Sequence, residues 1–177
     1  MAQLTYKIDP AHSSAHFSVR HMMITNVRGE FTKISGTILW DPANPGASTV
    51  EATIDAASIS TREPDRDAHL KSADFLDAAT FPTLTFRSEG ITGADGELEV
   101  VGELTIHGVT RKVALEVEGP SEEIKDPWGN LRIGASASTK LNRKDFGLVW
   151  NSALETGGVL VGEEVKVTLD IQAIRQA

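Results

Sequence analysis

Apolar and polar residues alternate along most of this chain, the period-two signature of strands with one dry face and one wet face. Ala15, Phe17 and Val19 interleave with His16, Ser18 and Arg20, and Ile34, Gly36, Ile38 and Trp40 form the next set. Val50, Ala52 and Ile54 alternate with Glu51, Thr53 and Asp55, and Leu84 and Phe86 with Thr83, Thr85 and Arg87. In the centre, Leu98, Val100, Gly102, Leu104 and Ile106 share one side and Val113, Leu115 and Val117 answer them across His107-Gly108. Two residues between Ile106 and Val109 predict a tight hairpin whose strands keep their apolar faces together, and Asp95-Gly96 signals another. Leu131, Ile133, Ala135, Ala137 and Leu141, then Val161, Val165, Val167, Leu169 and Ile171, complete the pattern.

The pattern gives about eight strands, most of eight or more residues. They are separated by turn residues such as Asp41-Pro42, Asn44-Pro45-Gly46 and Gly157-Gly158. A closed antiparallel barrel and a two-sheet sandwich both satisfy it. Long strands with small inward residues (Gly36, Ala52, Gly102, Ala135, Ala137) leave space inside, which suggests a ligand. One segment breaks the alternation: Ser60 to Ala73 offers hydroxyl caps, an early proline and acids, and a late lysine, predicting one short helix over about 62–73. Helical spacing puts Arg66, His69, Leu70 and Ala73 on one face and makes Asp67 and Lys71 an exposed pair. Neither a repeat nor a linker interrupts the chain, so one domain is expected over 1–177.

Charge narrows the partners. The 177 residues carry 17 Lys and Arg against 25 Asp and Glu, a net charge of −8. That balance argues against nucleic acid and a polybasic membrane anchor. No stretch approaches the ~18 apolar residues of a membrane span, so no stable insertion is expected. With no cysteine there is neither a disulfide nor a thiolate metal site, and the start of the sequence lacks a secretory pattern. A cytoplasmic location is the expectation, with a periplasmic or secreted one as the alternative.

Catalytic chemistry finds little support. His12, His16 and His21 are too spread on an extended strand to close one metal site, and His16 and His21 point to opposite faces. Gly134-Ala135-Ser136-Ala137-Ser138 lacks the final glycine of a nucleophile elbow and lies within a strand pattern. No phosphate-binding loop or dinucleotide fingerprint is present, and no cofactor is implied. Arg66 and His69 lie on the apolar side of the helix beside Asp67, and Arg111 falls on the inward parity of its strand. Such groups either pin the helix to the barrel or clasp a ligand head at its mouth. Arg143, Lys144 and Asp145 read as a turn-stabilising network, Trp150-Asn151 as the end of a short strand from near Phe146, and Asp126 to Asn130 as a turn with Trp128 on the surface.

The order of motifs is itself informative: Asp9-Pro10-Ala11-His12-Ser13, His16-Phe17-Ser18-Val19-Arg20-His21, Arg28-Gly29-Glu30-Phe31, Arg66-Asp67-Ala68-His69-Leu70, Phe81-Pro82, Gly102 to Thr110 around His107-Gly108, and Arg143 to Gly147. From about residue 5 to 173 this succession resembles the YceI-like family. The resemblance implies an all-β, extended lipocalin-like antiparallel barrel that holds a polyisoprenoid or a related amphiphile in an interior tunnel, and it brings no catalytic residues. The expected function is non-catalytic binding, storage or transport of a long-chain lipid of polyisoprenoid, prenyl quinone or fatty-amide type. An enzyme acting on a lipid-like substrate in the same cavity and a solid-core interaction module are the alternatives, and a homodimer is compatible with each. By parity, Phe17, Val19, Phe31, Ile38, Trp40, Ile54, Phe86, Leu104, Val113, Ile133, Trp150 and Val167 are lining candidates. Arg66, His69 and Arg111 are the polar candidates.

Overall fold

The computed structural model describes residues 3–154 and 158–177. Twelve strands follow in chain order: β1 (Leu4–Ile8), β2 (Ser14–His21), β3 (Thr25–Phe31), β4 (Ile34–Trp40), β5 (Thr49–Asp55) and β6 (Ile59–Ser60), then β7 (Thr83–Ala94), β8 (Glu97–Ile106), β9 (Val109–Glu118), β10 (Ile124–Lys125), β11 (Leu131–Asn142) and β12 (Val161–Arg175). The one α-helix among the described residues, α1 (Pro64–Lys71), lies between β6 and β7.

Eight of these strands close a barrel. Its order is β11-β9-β8-β7-β5-β4-β1-β12, and β12 returns to β11 through a ladder from Arg132↔Ile174 to Asn142↔Glu164. All these pairings are antiparallel, which settles the barrel-or-sandwich choice the alternation left open. A second leaf, β2-β3-β6, grows from β12, which pairs with β2 from Val161 to Asp170 while its last residues pair with β1. The chain leaves the barrel wall for this leaf at a corner built by Asp9 to Ser13. There the Asp9 N–H donates to the Gln172 carbonyl at 2.8 Å, and the Ser13 hydroxyl accepts from the Gln172 N–H at 3.1 Å.

An ion network locks this corner from outside. Arg132 donates to Asp9 at 2.6 Å and to Asp126 at 2.7 Å, and His12 Nδ1 lies 2.8 Å from Asp9. The Arg132 hydrogen bond is the main force holding Asp9 below the usual carboxylate range. Burial raises Asp126, but the hydrogen bonds from Arg132 and the backbone N–H groups of Asn130 and Trp128 prevail and take it to about 2. The Asp126 to Asn130 turn forms as the sequence indicates, with Trp128 79% exposed.

The expected turns behave differently. His107-Gly108 and Asp95-Gly96 adopt the positive φ pair of a tight hairpin, and Ile106 pairs with Val109. A side chain at position 108 would collide with the Phe81 ring at 2.6 Å, so glycine there also seats the hairpin tip. Asp41 organises the β4–β5 loop by accepting from the N–H groups of Ala43 and Asn44. Half of the expected Gly157-Gly158 turn, Gly157, lies outside the described residues.

The helix is shorter than expected and capped differently. Glu63 accepts from the Asp65 N–H, with Pro64 in the first turn. Asp67 does not form an exposed pair with Lys71: its carboxylate folds back to the Thr61 N–H at 2.8 Å and the Thr61 hydroxyl. A neutral donor pair one turn upstream is closer and less solvated than a lysine tip on the surface. Ala73 falls past the helix end and is exposed.

Candidate functional site: an apolar cavity through the barrel

The inward faces of the strands enclose a cavity of about 610 Å³. Along β12 its lining runs from Val161 through Val165, Val167, Leu169 and Ile171 to Ala173, and β11 contributes Ile133, Ala135, Ala137 and Leu141 on the same parity. Most of these inward side chains are half-buried rather than fully buried, because they face empty space and not other side chains. Among the lining residues only Arg20 and Asp65 are exposed, which places the mouth between β2, α1 and the segment leading into β12. Apart from Ser48, Thr139 and His16, whose ring lies farther along β2 on Ser14 and beside Glu30, the polar lining residues belong to that end: Arg20, His21, Asp65, Arg66, His69 and Arg143.

The far end is lined by tightly packed side chains. Ile91, Leu98 and Val100 pack with Trp40, Val50, Phe86, Leu115 and Val117. Tyr6, only 1% exposed, packs on Ile133 and Ala173. Its hydroxyl donates to Glu123 at 2.6 Å, and burial together with that carboxylate pushes it up to about 12.

The structure puts the apolar candidates at the cavity wall. Phe17, Val19 and Phe31 from the leaf, Ile38, Trp40 and Ile54 from β4 and β5, Phe86, Leu104 and Val113 from β7 to β9, and Ile133, Trp150 and Val167 all line the cavity. Two of the small inward residues do otherwise. A side chain at position 102 would meet the Phe86 ring at 2.7 Å, and one at position 36 the Glu51 carbonyl at 2.1 Å. Both glycines permit close packing within the wall, and the interior room comes instead from the alanines Ala52, Ala135 and Ala137.

The polar candidates divide. Arg66 and His69 border the cavity, and each is held in place. Arg66 donates from Nε to the Thr61 hydroxyl and from Nη2 to the Thr61 carbonyl, both at 2.8 Å. His69 Nε2 lies 2.8 Å from Asp74, and its ring meets Phe75 and Trp150 edge-on with centroids 5.1 and 4.7 Å away. Arg111 is a correction: it does not line the cavity. It is exposed and donates from Nε to the Asp145 carbonyl at 3.0 Å. Its parity is inward, but β9 pairs with β11 only from Glu116 to Glu118, so near Arg111 the two strands diverge and the inward direction leads to solvent and the Arg143–Phe146 turn.

That turn corrects a second expectation. Residues 146–151 form no strand; Phe146 ends a 3-10 turn and the following chain is irregular. Arg143, 4% exposed, replaces strand pairing by donating to the carbonyls of Leu148, Trp150, Val161 and Gly162. Burial pulls its guanidinium down, with Glu163 acting the other way. The Asn151 side chain joins both ends of the clamp by accepting from the Val161 N–H and donating to its carbonyl. The turn-stabilising reading of Arg143 therefore holds.

The sequence reading passed over Val27, Leu148 and Leu160. Val27 was recoverable, because it sits directly across from Val19 and alternates with Asn26 and Arg28. Leu148 and Leu160 lie in irregular chain with no period to read. Among the described residues no group of three His, Asp or Glu side chains could hold a metal ion.

The YceI-like domain family model matches residues 6–173. The chain belongs to the YceI-like family. Protein YceI of Salmonella newport is 35% identical over 173 residues, covering 97% of this chain and 87% of that protein. BcnA of Burkholderia cenocepacia shares the fold with a TM-score of 0.79 at 24% identity, over 93% of this chain and 98% of that one. A polyisoprenoid binding domain from Saccharophagus degradans, implicated in plant cell wall breakdown, superposes with a TM-score of 0.70 at 17% identity, over 98% and 99%. The YceI-like assignment agrees with the motif order, and these neighbours agree with the extended barrel.

Proposed function

We propose that this protein binds a long apolar lipid inside its barrel, without catalysis, as a carrier or store. The observation that carries the reading is the cavity itself: apolar along the barrel, with most of its polar groups towards one end. An amphiphile matches that polarity, its tail along β11 and β12 and its head at the mouth. The name of the Saccharophagus structural neighbour points the same way, towards a polyisoprenoid. Burying ten methylenes at about 0.8 kcal/mol each supplies about 8 kcal/mol before association costs, so a longer tail binds usefully without any charge contact. The open interior runs against a solid-core interaction module.

The test is native mass spectrometry of the purified protein, followed by organic extraction of what it holds. An apolar chain of defined mass released only on denaturation is the expected result. Protein that is empty and refuses added prenyl quinones and fatty amides overturns the proposal, and chemical conversion of a bound lipid would replace the carrier with an enzyme.

A further inference from the structure

Beside the mouth, next to the exposed Arg20 and Asp65, an apolar patch reaches solvent. Met22, Met23 and Ile24 at the β2–β3 tip are 43, 57 and 69% exposed, and Val149 and Val159 are exposed beside them. These are not scattered residues. The Met22 N–H donates to the Leu160 carbonyl at 2.7 Å, Met23 packs against Gly158, and His21 pairs with Val161. Arg143 and Asn151 then tie the Leu148–Asn151 segment, which carries Val149, to Val161.

The tip is also built against local preference. Met22 and Met23 have φ of 50° and 63°, and the Ile24 N–H donates to the His21 carbonyl, giving a turn with two left-handed central residues. The tight hairpins at Asp95-Gly96 and His107-Gly108 put glycine second in the same geometry. Here two long side chains occupy it, and each left-handed non-glycine residue is strained. Charge adds a third observation. In a chain of net charge −8, residues 10–29 contain no Asp or Glu; the hairpin that carries this tip bears Arg20, Arg28, His16 and His21, and its one acid, Glu30, lies beside His16 at the end away from the tip. An apolar tip whose nearest charged neighbours along the hairpin, Arg20 and Arg28, are basic complements an anionic bilayer surface.

We propose that Met22, Met23 and Ile24 dock the barrel mouth on an anionic lipid surface, so that the cavity opens where its ligand resides. The purpose of this docking rests on the lipid-binding reading above, but its test does not. Purified protein is floated with vesicles of phosphatidylcholine alone and of phosphatidylcholine with one-third phosphatidylglycerol, at low and high salt. The variant is Met22→Asn with Met23→Gly, which installs the residue pair this turn prefers and so preserves folding; unchanged or raised thermal stability verifies that.

The wild type is expected to bind the anionic vesicles, more weakly at high salt, and the variant to lose about tenfold or more in partitioning, the least expected from one buried apolar side chain. Equal partitioning of variant and wild type overturns the docking site, as does failure of the wild type to bind anionic vesicles. A dimer that the variant abolishes, seen by light scattering, overturns it in favour of a second copy of the chain. Ligand retention in the variant, followed by native mass spectrometry, separates the two proposals. Vesicle binding by an empty protein leaves docking standing while the carrier fails, and a ligand-filled protein indifferent to vesicles does the reverse.

Discussion

Replacing Ala137 with phenylalanine puts a ring into the middle of the cavity. Ala137 lies near the centre of β11, opposite Leu169 on β12 and Val117 on β9, and its side chain lines the cavity. The added ring occupies space that about six carbons of a threaded tail would otherwise fill. At about 0.8 kcal/mol per buried methylene the loss is about 5 kcal/mol, or about a thousandfold or more in affinity. Stability should move the other way: a ring that fills a void in the empty protein adds about 0.5–2 kcal/mol. The same variant thus weakens binding and strengthens the apo fold, two signs that general damage cannot produce together. Ser138→Phe is the control, because it sits one residue on and points outward opposite Thr168. The assay is titration of delipidated protein with a fluorescent prenyl chain, paired with urea unfolding. Equal affinity in a folded Ala137→Phe protein would refute the threaded-cavity reasoning.

Further expectations follow from the polar groups. Arg143→Met leaves the carbonyls of Leu148, Trp150, Val161 and Gly162 without their donor and should cost about 3 kcal/mol or more in urea unfolding; a loss below about 1 kcal/mol would mean the clamp is replaceable. Asp126, depressed from 3.8 to about 2, stabilises the fold fully above pH 3.8 and loses that contribution as pH falls towards 2, with Asp9 contributing in the same direction. Arg132→Met should flatten the decline of the urea midpoint between pH 4 and 2, and an unchanged slope would remove the network from the account. Arg111→Ala should leave lipid affinity as it is and change stability by under about 1 kcal/mol, since its hydrogen bond is exposed. A clear loss of affinity would return Arg111 to the mouth.

Alternation made the barrel legible because a strand's parity has only two values, and one known inward residue fixes the rest of the strand. Phe17 and Val167 could be assigned this way, and the structure pairs them directly. Parity fails where its premise does. Arg111 has the right parity at a place where the wall has parted, and neither the separation of β9 from β11 nor the turn at Arg143 leaves a mark on the period of either strand. The mouth is built from irregular chain, residues 148–154 and 158–160, tied down by side-chain donors such as Arg143 and Asn151 reaching backbone carbonyls across the fold. Such contacts have no spacing rule.

The motifs that carry the family resemblance belong largely to this second kind of information. Asp9 to Ser13 turn the chain from barrel to leaf, Gly29 admits the Phe17 ring, Asp67 and Arg66 fasten the helix to Thr61, Gly108 seats against Phe81, and Arg143 clamps the rim. Each sits at a corner, where one particular atom is needed and a substitute of similar polarity does not fit. The cavity wall asks for less: an apolar side chain of suitable bulk at every second position satisfies it. A lipid tail likewise asks only for apolar surface and length. The barrel can therefore keep its frame through a few demanding corners while the wall between them changes, and the length and girth of the space inside follow from residues such as Ala52, Ala135 and Ala137, which no motif contains.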